Sequence, residues 1–193
     1  MIYFISDTHF GHAAIIRLCN RPFATVEEMD EVLVSNWNAR VGNGDTVYFL
    51  GDLFFKASAE HVREVLASLK GKKHLLIGNH DHNWMTPELL EEHFLSVSHF
   101  QDISVGGHHF LMCHYPILEW GGKPKSLMLH GHIHGNRNAD YWPLLQKRER
   151  VLNASVEING YAPVTFEELL ENNRRQKALP PDVPASLKNT IEA

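Results

Sequence analysis

The chain has 193 residues, 44% hydrophobic and 21% charged. That is ordinary globular usage, which excludes a disordered or fibrous chain and fits one domain able to bury its own core. A net charge of -5 argues against a nonspecific nucleic-acid coat, because phosphate backbones are gripped by excess Lys and Arg; a small anionic substrate stays admissible if metals supply the positive charge. Cys19 and Cys113 are the only cysteines, so neither a disulfide framework nor a thiolate zinc cluster is available. The start, MIYFISDTHFGH, lacks the basic and long apolar segments of a signal peptide, and no apolar run reaches membrane-spanning length. The expectation is a cytoplasmic protein with no membrane partner. The count that stands out is 14 histidines, and their positions must decide what they do.

Ile2 to Ile5 is a short β-rich apolar run ending at Ser6-Asp7, which predicts a buried strand that empties into a loop carrying Asp7 and His9. His12 to Asn20 and Thr25 to Arg40 have helical spacing, the second opened by a capping box of Thr25 and Glu28. After the turn at Gly42-Asn43-Gly44-Asp45, Thr46 to Leu50 repeats the strand pattern and stops at Gly51-Asp52. Ala57 to Lys70 reads as an amphipathic helix closed by Gly71. His74 to Ile77 is a third strand, stopping at Gly78-Asn79-His80-Asp81. Strand, polar loop and helix thus alternate three times, which argues for an α/β architecture.

The second half changes character. His109 to Cys113, Ser126 to His130 and Val151 to Ile158 are strand-like runs joined by turns, and Thr165 to Arg175 carries a brief helical pattern. Two packed sheets with helices outside are expected, in a domain over residues 1–177. Residues 178–193 are polar and proline-containing and read as a surface tail.

Each predicted strand ends in side chains that bind hard or borderline cations: Asp7 and His9, then Asp52, then Asn79 and His80, then His114, then His132 and His134. Oxygen and imidazole donors without thiolates suit manganese, iron or zinc. Open α/β sheets gather such residues at the carboxyl ends of their strands, whatever their separation in sequence. A lone Asp-x-His or Gly-Asp usually marks a solvated turn. The tight turns Gly78-Asn79-His80-Asp81 and His130-Gly131-His132-Ile133-His134 are more specific, and all five blocks in this order leave little room for accident.

With these blocks, from Asp7-Thr8-His9 through Gly51-Asp52, Gly78-Asn79-His80-Asp81 and His114-Tyr115-Pro116 to Gly131-His132-Ile133-His134, the sequence resembles the calcineurin-like metallophosphoesterases over nearly the whole domain. The resemblance implies a four-layer αββα sandwich, two mixed sheets flanked by helices, with a dimetal site at the strand carboxyl ends. It implies that Asp7, His9 and His134 hold one metal ion, that Asn79, His114 and His132 hold the other, and that Asp52 bridges them. His80 matches the family's non-ligand catalytic histidine and Asp81 the carboxylate that orients it.

The expected chemistry is hydrolysis of a phosphate ester, a phosphodiester above all. Two cations roughly 3.5–4 Å apart need an anion between them, which Asp52 supplies, and a bridging water acidified to a pKa of about 7 gives a hydroxide nucleophile. His80 then acts as general acid toward the leaving alkoxide. His12, three residues after His9 at a predicted helix start, is read as a substrate phosphate contact or a helix cap. The loop from Trp120 to Lys123 and the pair Asn136 and Arg137 are placed at the border of the site. The remaining histidines, from His61 to His109, read as surface or packing residues. The alternatives are a phosphomonoesterase, a nuclease, disfavoured by the absence of a basic stripe with interleaved aromatics, and a silent metal-binding scaffold, which needs no His80-Asp81 pair.

Overall fold

In this computed structural model, which describes residues 1–122 and 125–181, four strands follow from the apolar runs of the first half. They are β1 (Ile2–Ile5), β2 (Thr46–Phe49), β3 (Lys72–Leu76) and β4 (Phe94–Ser98), joined in the order β1-β2-β3-β4 with every pair parallel. A second sheet contains β5 (Phe100–Val105), β6 (His108–Cys113), β7 (Ser126–His130) and β8 (Val151–Asn153), in the order β5-β6-β7-β8. Its β5-β6 pair is antiparallel and the rest are parallel. The expectation of two mixed sheets is met by the second; the first is parallel, with a single antiparallel bridge from Val164 to Phe4 at its edge.

Side-chain alternation along the strands builds three apolar layers. Tyr3 and Ile5 of β1, Val47 and Phe49 of β2 and Leu75 of β3 face one core. It is closed from outside by α2 (Val26–Arg40), α3 (Ala59–Ser68) and α4 (Pro87–His93). The alternate residues Phe4, Tyr48 and Leu76 face Phe110, Met112, Leu129 and Leu152 of the other sheet. Leu111, Met128 and Val151 turn outward to Trp142 and Leu145 of α5 (Trp142–Gln146). Both faces of β1, β2, β6 and β7 are therefore covered, which is why these strands read as continuous apolar runs. The result is the expected sandwich, with α6 (Phe166–Ala178) lying along β1 and β8. The short α1 (Ala13–Leu18) follows the first site loop.

Some local expectations need correction. Thr25 caps α2 by accepting from Glu28 N, but the Glu28 carboxylate reaches back to Ala24 N rather than Thr25 N; the complete capping box is Thr165–Glu168 on α6. The run Val151 to Ile158 is not one strand: β8 stops at Asn153 and the chain turns through Ser155 and Glu157. β5 exposes Phe100, Asp102 and Ser104 on one face and has only half-buried residues on the other, so it has no clear apolar signature, and α4 and α5 are too short to show a period. Residues 182–193 of the expected tail, and Lys123, lie outside the described residues. Among the described residues no helix is long and apolar enough to cross a membrane.

Candidate metal centre

The parallel strands deliver their carboxyl ends to one edge, and backbone hydrogen bonds lock the loops together there. Asp7 N donates to Gly51 O (3.0 Å) and His9 N to Asp52 O (3.1 Å) in the first sheet, and Gly131 N to His114 O (2.9 Å) in the second. Two glycines permit this closeness. A Cβ on Gly78 would strike the Asp52 backbone and carboxylate, and one on Gly131 would strike Ser6 and the Asp7 carboxylate. Asp7, His9, Asp52, His132 and His134 all sit in the left-handed region, with φ of 59°, 52°, 59°, 70° and 50°. Asp and His tolerate this region better than most residues, yet each such conformation costs of order 1–3 kcal/mol and persists where its surroundings impose it.

The sequence-selected residues converge into two groups with metal-binding proximity. Ligand atoms of Asp7, His9 and His134 lie within 4.8 Å of one another, as do those of Asp52, His114 and His132. Asn79 joins the second group, its Oδ1 3.1 Å from His114 Nε2. The Asp52 carboxylate stands between the groups, with Oδ2 3.6 Å from His9 Nε2, 3.4 Å from His114 Nε2 and 4.0 Å from His80 Nε2. Its other oxygen accepts from His80 N at 2.8 Å. The Asp7 carboxylate accepts from Ser155 Oγ (2.8 Å) and from His132 N (3.0 Å). His114 Nδ1 is fixed on Leu50 O at 2.7 Å, which leaves Nε2 toward Asp52.

This donor set fits cations. His9 is 1% exposed and neither of its ring nitrogens has a hydrogen-bond partner, a costly burial unless something accepts a lone pair. Burial, then the neighbouring His134, hold its pKa well below 6.5, so the imidazole is neutral, the form that ligates. Burial also opposes charge at Asp52 and His114, but their mutual hydrogen bond prevails. It brings Asp52 down to about 2 and His114 up to about 9, an ion pair whose proton a cation would displace.

His80 lies beside both groups with 38% of its side chain exposed. Its ring is held edge-on by Phe55 at 4.8 Å and His9 at 5.4 Å. Asp81 does not orient it as the sequence suggests. The Asp81 carboxylate is fully buried and accepts from Asp52 N (2.9 Å), Leu53 N (2.8 Å), Gly78 N (2.8 Å) and Trp84 Nε1 (2.9 Å), so it ties the two loops that carry Asp52 and His80. His12 stands at the start of α1 with no side-chain cap bond, its ring 4.0 Å from Phe55 and 5.3 Å from His9. Burial, then repulsion from His80, push its pKa down to about 4. Tyr115, 45% exposed, packs its ring 4.7 Å from His132.

The remaining residues singled out in the sequence make contacts of their own. Trp120 Nε1 donates to Ser126 Oγ, Arg137 donates to Pro180 O, and Asn136 accepts from Asn138 N. His61 pairs with Asp30, His74 stacks on Tyr48, and His109 pairs with Asp102, in keeping with surface or packing roles. The sequence reading missed Arg21, Ser155 and Glu157, which contact ligand residues from behind. No local motif announces them.

Comparison with known proteins agrees with this geometry. The chain is 39% identical over 171 residues to the uncharacterized protein MJ1445 of Methanocaldococcus jannaschii, covering 88% of this chain and 89% of that one. It is 26% identical over 159 residues to the Gene 66 protein of Mycobacterium phage L5, covering 68% and 76%. Among solved structures it is similar to a protein of unknown function, AQ665 from Aquifex aeolicus, with a TM-score of 0.68 and 31% identity over 89% of this chain and 98% of that one. The sequence profile described as calcineurin-like phosphoesterase matches residues 1–186. The chain belongs to the calcineurin-like phosphoesterases, a family that implies metal-dependent hydrolysis of phosphoester bonds.

Proposed function

We propose that this protein hydrolyses small phosphodiesters, with two cations held by Asp7, His9 and His134 and by Asn79, His114 and His132, and with Asp52 shared between them. The observation that carries this reading is the position of the Asp52 carboxylate, within 3.6 Å of an imidazole from each group and 4.0 Å from His80. When bound, the cations would place positive charge against the phosphoryl oxygens and lower the pKa of a water, the chemistry of two-metal phosphatases and nucleases.

The chain's own residues supply the rest. The left-handed ligand loops are fixed before substrate arrives, so little reorganisation is left for the reaction. His80 faces solvent on one side and the Asp52 carboxylate on the other, where its imidazole can protonate a departing alkoxide. Asp81 acts through the backbone, holding the Gly78–His80 turn against Asp52. His12, beside His9 and Phe55, would meet a substrate phosphate on this reading. With His80 half-exposed and His132 and Tyr115 exposed, this rim would leave room for the second ester group of a diester.

The test is turnover of an aryl phosphodiester by purified protein reconstituted with manganese, iron or zinc. Activity is expected to vanish on chelation and to return with metal. A chelated protein that keeps full activity sinks the reading.

A further inference from the structure

Behind the first group of candidate ligands lies a buried ion pair that the reaction above does not use. The Arg21 side chain is 0% exposed and that of Glu157 7%, and Glu157 Oε1 accepts from Arg21 Nε (3.0 Å) and Nη2 (2.6 Å). The same oxygen lies 2.9 Å from His134 Nδ1. The other face of the guanidinium donates to Asp7 O and Thr8 O, both at 2.7 Å. One Arg–Glu unit therefore grips the loop that carries Asp7 and His9 in left-handed conformations and, far along the chain, the ring of His134.

The chemistry of these contacts is directional. A carboxylate on Nδ1 keeps the proton there, so the lone pair stays on Nε2, which faces Asp7 Oδ1 at 3.9 Å. Arg21 neutralises the carboxylate and, through its planar fork, sets the angle at which Glu157 meets the ring. A buried ion pair is weak as a source of stability against an apolar replacement, which leaves its geometry as the reason to keep it. Among the described residues the imidazoles of the second group meet no such ion pair: His114 Nδ1 meets a backbone carbonyl, and the exposed His132 ring is met by Tyr115 and His114.

Cys19, His134 and Glu157 also lie within 4.8 Å of one another, a spacing that admits an ion of its own. With Glu157 Oε1 already receiving two guanidinium N–H groups and the imidazole, that trio reads as support for His134 rather than as a separate site.

We propose that Arg21 and Glu157 are positioning residues for one cation position only, that of Asp7, His9 and His134, and set its affinity apart from that of the other. This rests on the two-cation reading above. The experiment titrates metal-free protein with Mn(II) and reads stoichiometry and the two affinities calorimetrically, with elemental analysis after dialysis. In Glu157→Gln, which keeps the shape and removes the charge, one of two sites is expected to weaken by about 10- to 100-fold, the range for loss of a partner behind a metal ligand, while the other is unchanged. Arg21→Lys, which keeps the charge and loses the fork, is expected to give the same split and serves if the first variant folds poorly. Thermal unfolding of the metal-free variants is followed alongside, because a purely structural pair would lower stability without separating the two sites. Equal weakening of both sites, or of neither, overturns the proposal. So does loss of a third bound equivalent, which would place an ion at Cys19, His134 and Glu157. Wild-type protein that takes up no metal overturns the two-cation reading, and this one with it.

Discussion

The same strands serve two regions of opposite character. In their middles, Phe4, Tyr48 and Leu76 meet Phe110, Met112 and Leu129 in a core between the sheets made of apolar groups in ordinary strand conformations. A few residues further on, Asp7, Thr8, His9, Asp52, Asp81 and His114 are just as inaccessible, but they are polar, hydrogen-bonded through every side chain except that of His9, and in part left-handed. The core gains stability from burial. The edge loses it, through strained backbone and desolvated charge, and returns a set of donors fixed in place. The two regions should therefore respond to mutation in different observables.

The largest effect is expected at the edge. Asp52→Asn removes the carboxylate shared by both ligand groups, and metal content and turnover should fall together by more than about 100-fold, beyond the loss typical of an outer partner. Full occupancy by elemental analysis together with full activity would remove Asp52 from the centre of the site. His80→Ala separates binding from chemistry in the same region: both metals stay, and kcat falls about 10²–10⁴-fold, as for a positioned general acid. Metal loss in that variant would make His80 a ligand.

The converse substitution is Phe4→Ala. Phe4 is 1% exposed and touches the rings of Tyr48 and Phe110 at 5.8 and 5.2 Å, so its removal leaves a cavity between the sheets. A loss of about 3–5 kcal/mol is expected from denaturant unfolding of the metal-free protein. Metal stoichiometry below the transition should be unchanged. A drop in metal content at temperatures where the variant is folded would mean that core and edge are not separable.

The contrast also explains what the sequence could reveal. The runs that became β1, β2, β6 and β7 were legible because strands covered on both faces are apolar throughout, whereas β5, with one open face, hid among loop residues. The seven candidate ligands were legible because each lies in the loop that follows a strand, so residue type and position spoke together. Arg21 and Glu157 were not, because their contact spans 136 residues and nothing in either neighbourhood marks it. Asp81 shows the opposite error. Its adjacency to His80 suggested a partnership, but the 3-10 turn at Asp81–Asn83 points its carboxylate inward to four N–H donors.

The smallest expected effect concerns substrate, and it tests how open the edge is. A diester carries a second ester group that must point away from the ligands, and on the proposed reading the half-exposed His80 and the exposed His132 and Tyr115 border that side. A monoester dianion is drawn more strongly to two cations, but attraction felt equally by substrate and transition state lowers KM without raising kcat. The comparison therefore belongs in kcat at saturation, for an alkyl aryl diester and the aryl monoester with the same leaving group and the same metal. His80 helps both to expel that group, so its presence leaves the choice to the shape of the rim. The diester should turn over faster, and a monoester kcat higher by about tenfold or more, equivalent to a full 1.4 kcal/mol of transition-state preference, would mean that the rim closes over the phosphate and that the open-edge reading is wrong.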